Sequence, residues 1–286
     1  MAEGNAVGKP PSGAALEDLV AGAQGGSREA LEALVRAVQG DVYGLALRFL
    51  WHPEDAEDAT QEILVRVVTR LGSFEGRSGF RTWIYRVASN ALLDMRRSRM
   101  EERGLTFVSF GQDLEEGLSD EALSVPPGVD EALLLEEVKI GCSLGMLLCL
   151  DRPKRLAYIL GEILGLSHRE AASVLQVSPA AYRQRLSRAR RAVTDFMLAR
   201  CGLVDPENPC RCRRRVSAAI DRRRVDPGRL LHATSARRAR EFPGVLREIR
   251  ALEEDRRAVA LYRSHPAPEG RVDFVTRVRD LLDARP

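Results

Sequence analysis

The chain has 286 residues, 30% of them charged and only 5% aromatic, and a formal net charge of +3, a size that predicts two or three modules with modest cores. No apolar run approaches the roughly 20 residues that span a bilayer, and residues 1–14 lack the charged-then-apolar order of a signal peptide, so a cytoplasmic protein without a membrane span is expected. Five cysteines, an odd number in a reducing compartment, argue against a disulfide framework and leave buried thiols or a metal site.

The small net charge hides a division along the chain. Between Glu101 and Glu137 there are 11 acidic residues and one Arg, whereas from Cys201 onward 20 Arg stand against 13 acids. Opposed blocks of this kind predict partners of different charge.

Residues 1–13 are rich in Gly, Pro and Ala without periodicity and read as a disordered tail. Leu16, Leu19 and Val20 then recur at helical spacing, and Ser27 is placed to cap a longer helix carrying Leu31, Leu34, Val35, Val38, Val42, Leu45 and Phe49. Pro53 opens the next helix where its missing N–H costs little, and Glu54, Asp55, Glu57 and Asp58 fill the turn that the helix dipole favours for acids. Ile63, Leu64, Val67, Val68 and Leu71 form its apolar stripe. Capping explains the first acids, but it leaves Asp58, Gln61 and Glu62 free for a polar contact with a partner.

Gly72–Gly79 breaks the periodicity, and Ser78 is expected to cap a helix running from Phe80 to about Arg97. That helix interleaves Phe80, Trp83 and Tyr85 with Arg77, Arg81, Arg86, Arg96 and Arg97. Rings that stack on bases at about 1 to 3 kcal/mol each, beside guanidinium groups for phosphates, suit single-stranded nucleic acid. Packing of Trp83 and Val87 into the bundle is the competing explanation.

The segments AEDATQE at Ala56–Glu62 and SFEGRSGFRTWIYRVASN at Ser73–Asn90 resemble region 2 of bacterial RNA polymerase sigma factors of the extracytoplasmic-function group. The resemblance implies that Asp58, Gln61 and Glu62 bind the clamp helices of the polymerase beta-prime subunit. It also implies that Arg77, Ser78, Phe80, Arg81, Trp83, Arg86 and Asn90 capture a flipped base of the minus-ten element and help to open the duplex, since a stacked base cannot be read in this way. Primary sigma factors carry two adjacent Trp where this chain has Trp83-Ile84, which implies weaker and more sequence-dependent melting.

Residues 101–128, with Pro126-Pro127 and an acidic bias, read as a flexible linker. In the resembling proteins this connection threads toward the transcript path, where acidic residues can imitate nucleic acid; a solvated charge run is the plainer reading. Val129–Leu150 is apolar enough for a buried helix holding Cys142 and Cys149 as core thiols. Ser167-His168-Arg169-Glu170 fits a capping box, with His168 exposed in the first turn. Ser178 and Pro179 then start AAYRQRLSRARRAV, giving a helix-turn-helix whose second helix carries Arg183, Arg185, Arg188, Arg190 and Arg191.

This second segment resembles region 4 of the same group, which contacts the polymerase beta flap and reads the minus-thirty-five element. The resemblance places Ala180, Ala181, Arg183, Gln184, Arg185 and Arg188 at DNA. Ala181 and Tyr182 depart from the Thr and Val more common there, so a phosphate contact is lost and Tyr182 must enter the core or turn toward DNA.

The expected protein is therefore all-α: region 2 bundle (14–100), acidic linker (101–128), region 4 helix-turn-helix domain (129–200) and a helical C-terminal extension (201–286). It is expected to bind core polymerase and promoter DNA without being an enzyme, to require no cofactor, and to be a candidate for anti-sigma control. A stand-alone helix-turn-helix regulator is the alternative, though such a protein has no need of the acidic helix. In the extension, Cys201, Cys210, Cys212 and His232 are a candidate structural zinc site, with thiolates favoured by nearby Arg; reduced structural thiols or a redox-sensitive pair are the alternatives. Val245, Leu246, Ile249 and Leu252, and Val272, Val275, Val278 and Leu282, form helical faces that must be buried somewhere, and regulation in cis is expected of them.

Overall fold

The computed structural model describes residues 13–120, 125 and 127–283. The expected N-terminal tail lies outside them apart from Gly13, which opens the first helix. Four helices make the first bundle: α1 (Gly13–Gln24), α2 (Arg28–Leu50), α3 (Pro53–Thr69) and α4 (Phe80–Asp94). Their starts follow local chemistry. The Ala30 N–H donates to Ser27 Oγ at 3.1 Å, and Pro53 occupies the first turn of α3 behind a His52 cap. Ser78 does not cap α4; Gly79 takes that position with no side-chain bond. Leu34, Val42, Leu45, Ile63, Leu64, Ile84 and Leu92 are buried between these helices, each contributing about 1.5 to 3 kcal/mol of transfer free energy before entropy is counted.

α2 stops at Trp51, which has a left-handed φ of 75°. Its indole N–H donates to the Gly141 carbonyl at 2.9 Å, tying this bundle to the next. Two short helices follow, α5 (Arg99–Glu102) and α6 (Phe107–Glu116). The stretch expected to be a flexible linker is therefore partly helical, because Phe110 and Leu114 give α6 an apolar face that is buried.

The second half holds α7 (Glu131–Leu148), α8 (Arg152–Tyr158) continuing through a wider turn at Ile159–Ile163, α9 (His168–Val174) and α10 (Pro179–Arg200). The expected capping box forms, with Ser167 and Glu170 exchanging backbone bonds, and Gln176 supplies the left-handed residue (φ 51°) that turns α9 into α10. Arg155 is buried and holds the two halves together: it donates to the carbonyls of Phe49, Leu147 and Leu150 and to Glu101. Burial pushes the Glu101 carboxyl up, but bonds from Arg152 and the Ser98 N–H and the charges of Arg155 and Arg152 outweigh it and hold the group at about 2.

The extension forms α11 (Cys212–Asp221), α12 (Ala236–Ala251), α13 (Glu254–Ser264) and α14 (Phe274–Asp283), laid over the rest of the protein. α11 and α12 pack on α7, α13 on α10, and α14 on α2 and α3. Tyr262 is buried and its hydroxyl donates to the Ser143 carbonyl at 2.8 Å. The buried Glu137 accepts the N–H groups of Leu231, His232 and Ala233 at 2.8, 2.7 and 2.7 Å.

The opposed charge blocks meet each other. Arg215, Arg222 and Arg224 converge on Asp113 of α6, Arg214 pairs with Asp120, Arg213 with Glu131 and Arg240 with Asp130. Folding thus brings the Arg-rich extension within ion-pair distance of acids in the linker and at the start of α7, which have counterions within the chain.

Candidate polymerase and promoter interfaces

The acidic face of α3 is presented by a helix whose opposite side, Ala56, Ile63, Leu64 and Val67, is locked in the bundle. Asp58 and Glu62 are exposed, Glu62 paired with Arg66 one turn on. Gln61 is half-buried, and its side-chain oxygen accepts a bond from Arg277 of α14 at 3.2 Å. The neighbouring acids on this face are also engaged by the extension. Arg229 pairs with Glu54 at 3.0 Å, and the backbone N–H of Arg271 donates to Glu57 at 2.8 Å. The sequence reading missed Glu54 and Glu57 as contact residues, although the Arg excess of the extension was a usable signal.

In the loop and α4, the expected nucleic-acid residues fall into three groups. Arg77 is exposed and pairs with Glu75 at 3.0 Å, while Ser78 and Asn90 are half-buried. Phe74, Phe80 and Trp83 form one aromatic cluster, with Trp83 stacked on Phe80 at 5.5 Å and edge-on to Phe74 at 5.6 Å. Phe80 is 3% exposed, so it serves as the floor under Trp83 and does not itself face solvent. Arg81 pairs with Asp41 at 3.1 Å, and Arg86 donates to Ser173 Oγ of α9 at 2.8 Å. α4 therefore touches α9 of the second half.

In α10, Ala180, Arg183, Gln184 and Arg188 are exposed and Ala181 and Arg185 half-exposed, opposite buried Tyr182, Leu186, Ala189 and Val193. Tyr182 enters the core: it is fully buried and its hydroxyl donates to the Ala157 carbonyl at 3.1 Å. Arg190 pairs with Glu162, but among the described residues Arg183, Arg185 and Arg188 form no ion pair.

The zinc expectation is corrected. Cys201, Cys210 and Cys212 do gather with Cys142 around an apolar cavity of about 30 Å³, yet His232 lies elsewhere, edge-on to Trp51 at 5.6 Å. Among the described residues no three His, Cys, Asp or Glu side chains are arranged to hold a metal ion. Nor do the arginines favour thiolates there. Burial outweighs them at Cys201, which is raised, and at Cys210, which is pushed to about 11, and it raises Cys212 against the charge of Lys139. These are free thiols in a desolvated core.

Comparison with known proteins agrees with this layout. Residues 34–102 match the family model for sigma-70 region 2, and residues 143–193 match that for sigma-70 region 4. The chain is 32% identical over 180 residues to the RNA polymerase sigma-H factor of Pseudomonas aeruginosa, covering 62% of this chain and 91% of that protein. The chain belongs to the extracytoplasmic-function sigma factors. It is also similar to the sigma factor CnrH of Cupriavidus metallidurans (33% identity, 63% of this chain and 92% of that protein) and to the sigma-E factor of Escherichia coli (29%, 61% and 90%). A solved structure of CnrH with the cytosolic domain of CnrY aligns at 26% identity and a TM-score of 0.47, covering 65% of this chain and 98% of that one.

This sigma factor binds core RNA polymerase and promoter DNA and directs promoter-specific transcription initiation. The matched models end at residue 193, so the extension lies beyond both. No helix among the described residues is long and apolar enough to cross a membrane.

Proposed function

We propose that this sigma factor seats core polymerase on the α3 face centred on Asp58, Gln61 and Glu62, and captures a minus-ten base with Arg77, Ser78 and Asn90 beside the Trp83 cluster. The N-terminal half of α10 reads the minus-thirty-five element through Ala180, Ala181, Arg183, Gln184, Arg185 and Arg188. The observation that carries the reading is the set of arginines on α10 that form no ion pair among the described residues: Arg183, Arg185 and Arg188 stand on a rigid, capped helix, whereas Arg190 and Arg200 of the same helix pair with Glu162 and Glu115. Unpaired guanidinium groups on such a helix suit phosphates and guanine edges. Buried Phe80, the ion-paired Arg81, and Arg86 through its bond to Ser173 act by holding this surface in shape. The protein works in the cytoplasm as a specificity subunit that needs no cofactor, and the polymerase supplies the chemistry.

Run-off transcription tests the assignment. Arg183→Ala with Arg188→Ala is expected to lower output from a promoter with a minus-thirty-five element by roughly 10-fold or more, to reduce the salt slope of DNA binding by about 2, and to leave binding to core polymerase unchanged. Unchanged transcription and salt slope would remove α10 from the promoter interface.

A further inference from the structure

We propose that residues 201–286 are a built-in competitor of core polymerase, with α14 and the segment leading into it occupying the acidic α3 face and so holding the free sigma factor closed. The proposal rests on the reading of α3 as the polymerase-binding surface and adds the occupant that must leave it. Three observations converge on it.

The first is the seat itself. Phe274, Val275 and Val278 are buried, Phe274 lying 6.1 Å from the Tyr43 ring of α2. The approach is equally close at Gly44, where an added Cβ would come within 3.4 Å of Pro268. Around this apolar contact, Arg229, Arg271 and Arg277 engage Glu54, Glu57 and Gln61, three positions on one stripe of α3. The side chains of Arg229 and Arg277 and the backbone N–H of Arg271 thus cover this acidic stripe, from the amphipathic α14 and from the loops at 229 and 271. Asp58 and Glu62 stay exposed beside it. A helix is about 10 Å across with its side chains, so one laid along Asp58, Gln61 and Glu62 would collide with α14, which already reaches Gln61.

The second is the relation between the two DNA-reading elements. α4 and α9 are in contact, with Arg86 bonded to Ser173. Promoter elements named for positions about 25 base pairs apart are separated by about 85 Å along the duplex at about 3.4 Å per base pair. The arrangement must open before both are read together. The third is the linker: α11 and the segment after it hold Asp113 through three arginines, which keeps the connection between the two sigma regions folded back.

The experiment uses the full chain and two variants, Phe274→Ser/Val278→Ser and the exposed Arg277→Glu, which removes a surface contact without touching a core. Hydrogen exchange of free protein reads whether α3 is covered, and equilibrium binding to core polymerase reads competition. Faster exchange confined to α14 and the parts of α2 and α3 that it covers, with core binding roughly tenfold tighter for the double variant and a smaller gain for Arg277→Glu, is the expected result, since apparent affinity scales with the open fraction. Unchanged exchange, or faster exchange with unchanged core affinity, overturns the proposal. Asp58→Arg in the Phe274→Ser/Val278→Ser background separates the two readings. If it abolishes core binding while opening gave no gain, α3 remains the polymerase surface and only the competitor is lost; if it changes nothing, the α3 reading fails as well.

Discussion

The region 2 bundle and the C-terminal extension are both helical, yet they bury their apolar residues in opposite ways. α2, α3 and α4 bury Leu34, Val42, Leu45, Ile63, Leu64, Ile84 and Leu92 largely against one another. The extension adds only Val216, Ala219 and Val225 to a small cluster completed by Leu134 and Val138 of α7, and its large buried side chains, Tyr262 and Phe274, face the sigma regions. One is a domain with a core of its own. The other takes its order from the surface it covers, and a segment of that kind can be displaced without unfolding what lies beneath.

The strongest break of this comparison is at Arg155. Arg155→Met removes the donor shared by Glu101 and the carbonyls of Phe49, Leu147 and Leu150, leaving a buried carboxylate short of its partners. A loss of about 3–5 kcal/mol is expected, seen as a lower urea midpoint, with the bundle and the second half melting together. Survival of the bundle at the wild-type midpoint would show that the two halves are not coupled through this residue.

A smaller and more local effect is expected from Glu137→Ala, which strips the acceptor from three N–H groups at 231–233 and costs about 1–3 kcal/mol. Exchange should accelerate across the extension while amides of α2 and α3 away from α14 keep their protection. Equal acceleration in the bundle core would mean that extension and bundle form one cooperative unit.

The gentlest probe is pH. Glu101 has a carboxyl held at about 2 against an ordinary 4.5. Its folded value is depressed, so its contribution is complete above about 4.5 and is lost as pH falls from there through about 2. Thermal melts should therefore show a step of decline in that window, and Glu101→Gln should flatten it. A decline of equal size in the variant would assign the acid sensitivity to other carboxylates, Asp113 among them, whose burial raises it but whose three arginines lower it further.

Much of this was legible in sequence because caps and stripes are local. Ser27, Pro53, Ser167 with Glu170, and Ser178 with Pro179 start helices where the pattern put them. Where the outcome depended on neighbours remote in sequence, the pattern was silent or misleading. Tyr182 went inward because the Ala157 carbonyl was there to receive its hydroxyl. His232 left the cysteines because Glu137 anchors its backbone beside Trp51. Phe110 and Leu114 turned part of an expected linker into a packed helix.

By itself, then, the sequence determined the helices, their caps, the region 2 and region 4 motifs and the two blocks of opposite charge, all properties carried by residues within a few turns of each other. Only the tertiary structure decided where the charges go. Counterions and apolar faces find partners by distance in space, and folding placed the extension's arginines against the chain's own linker and α3 face.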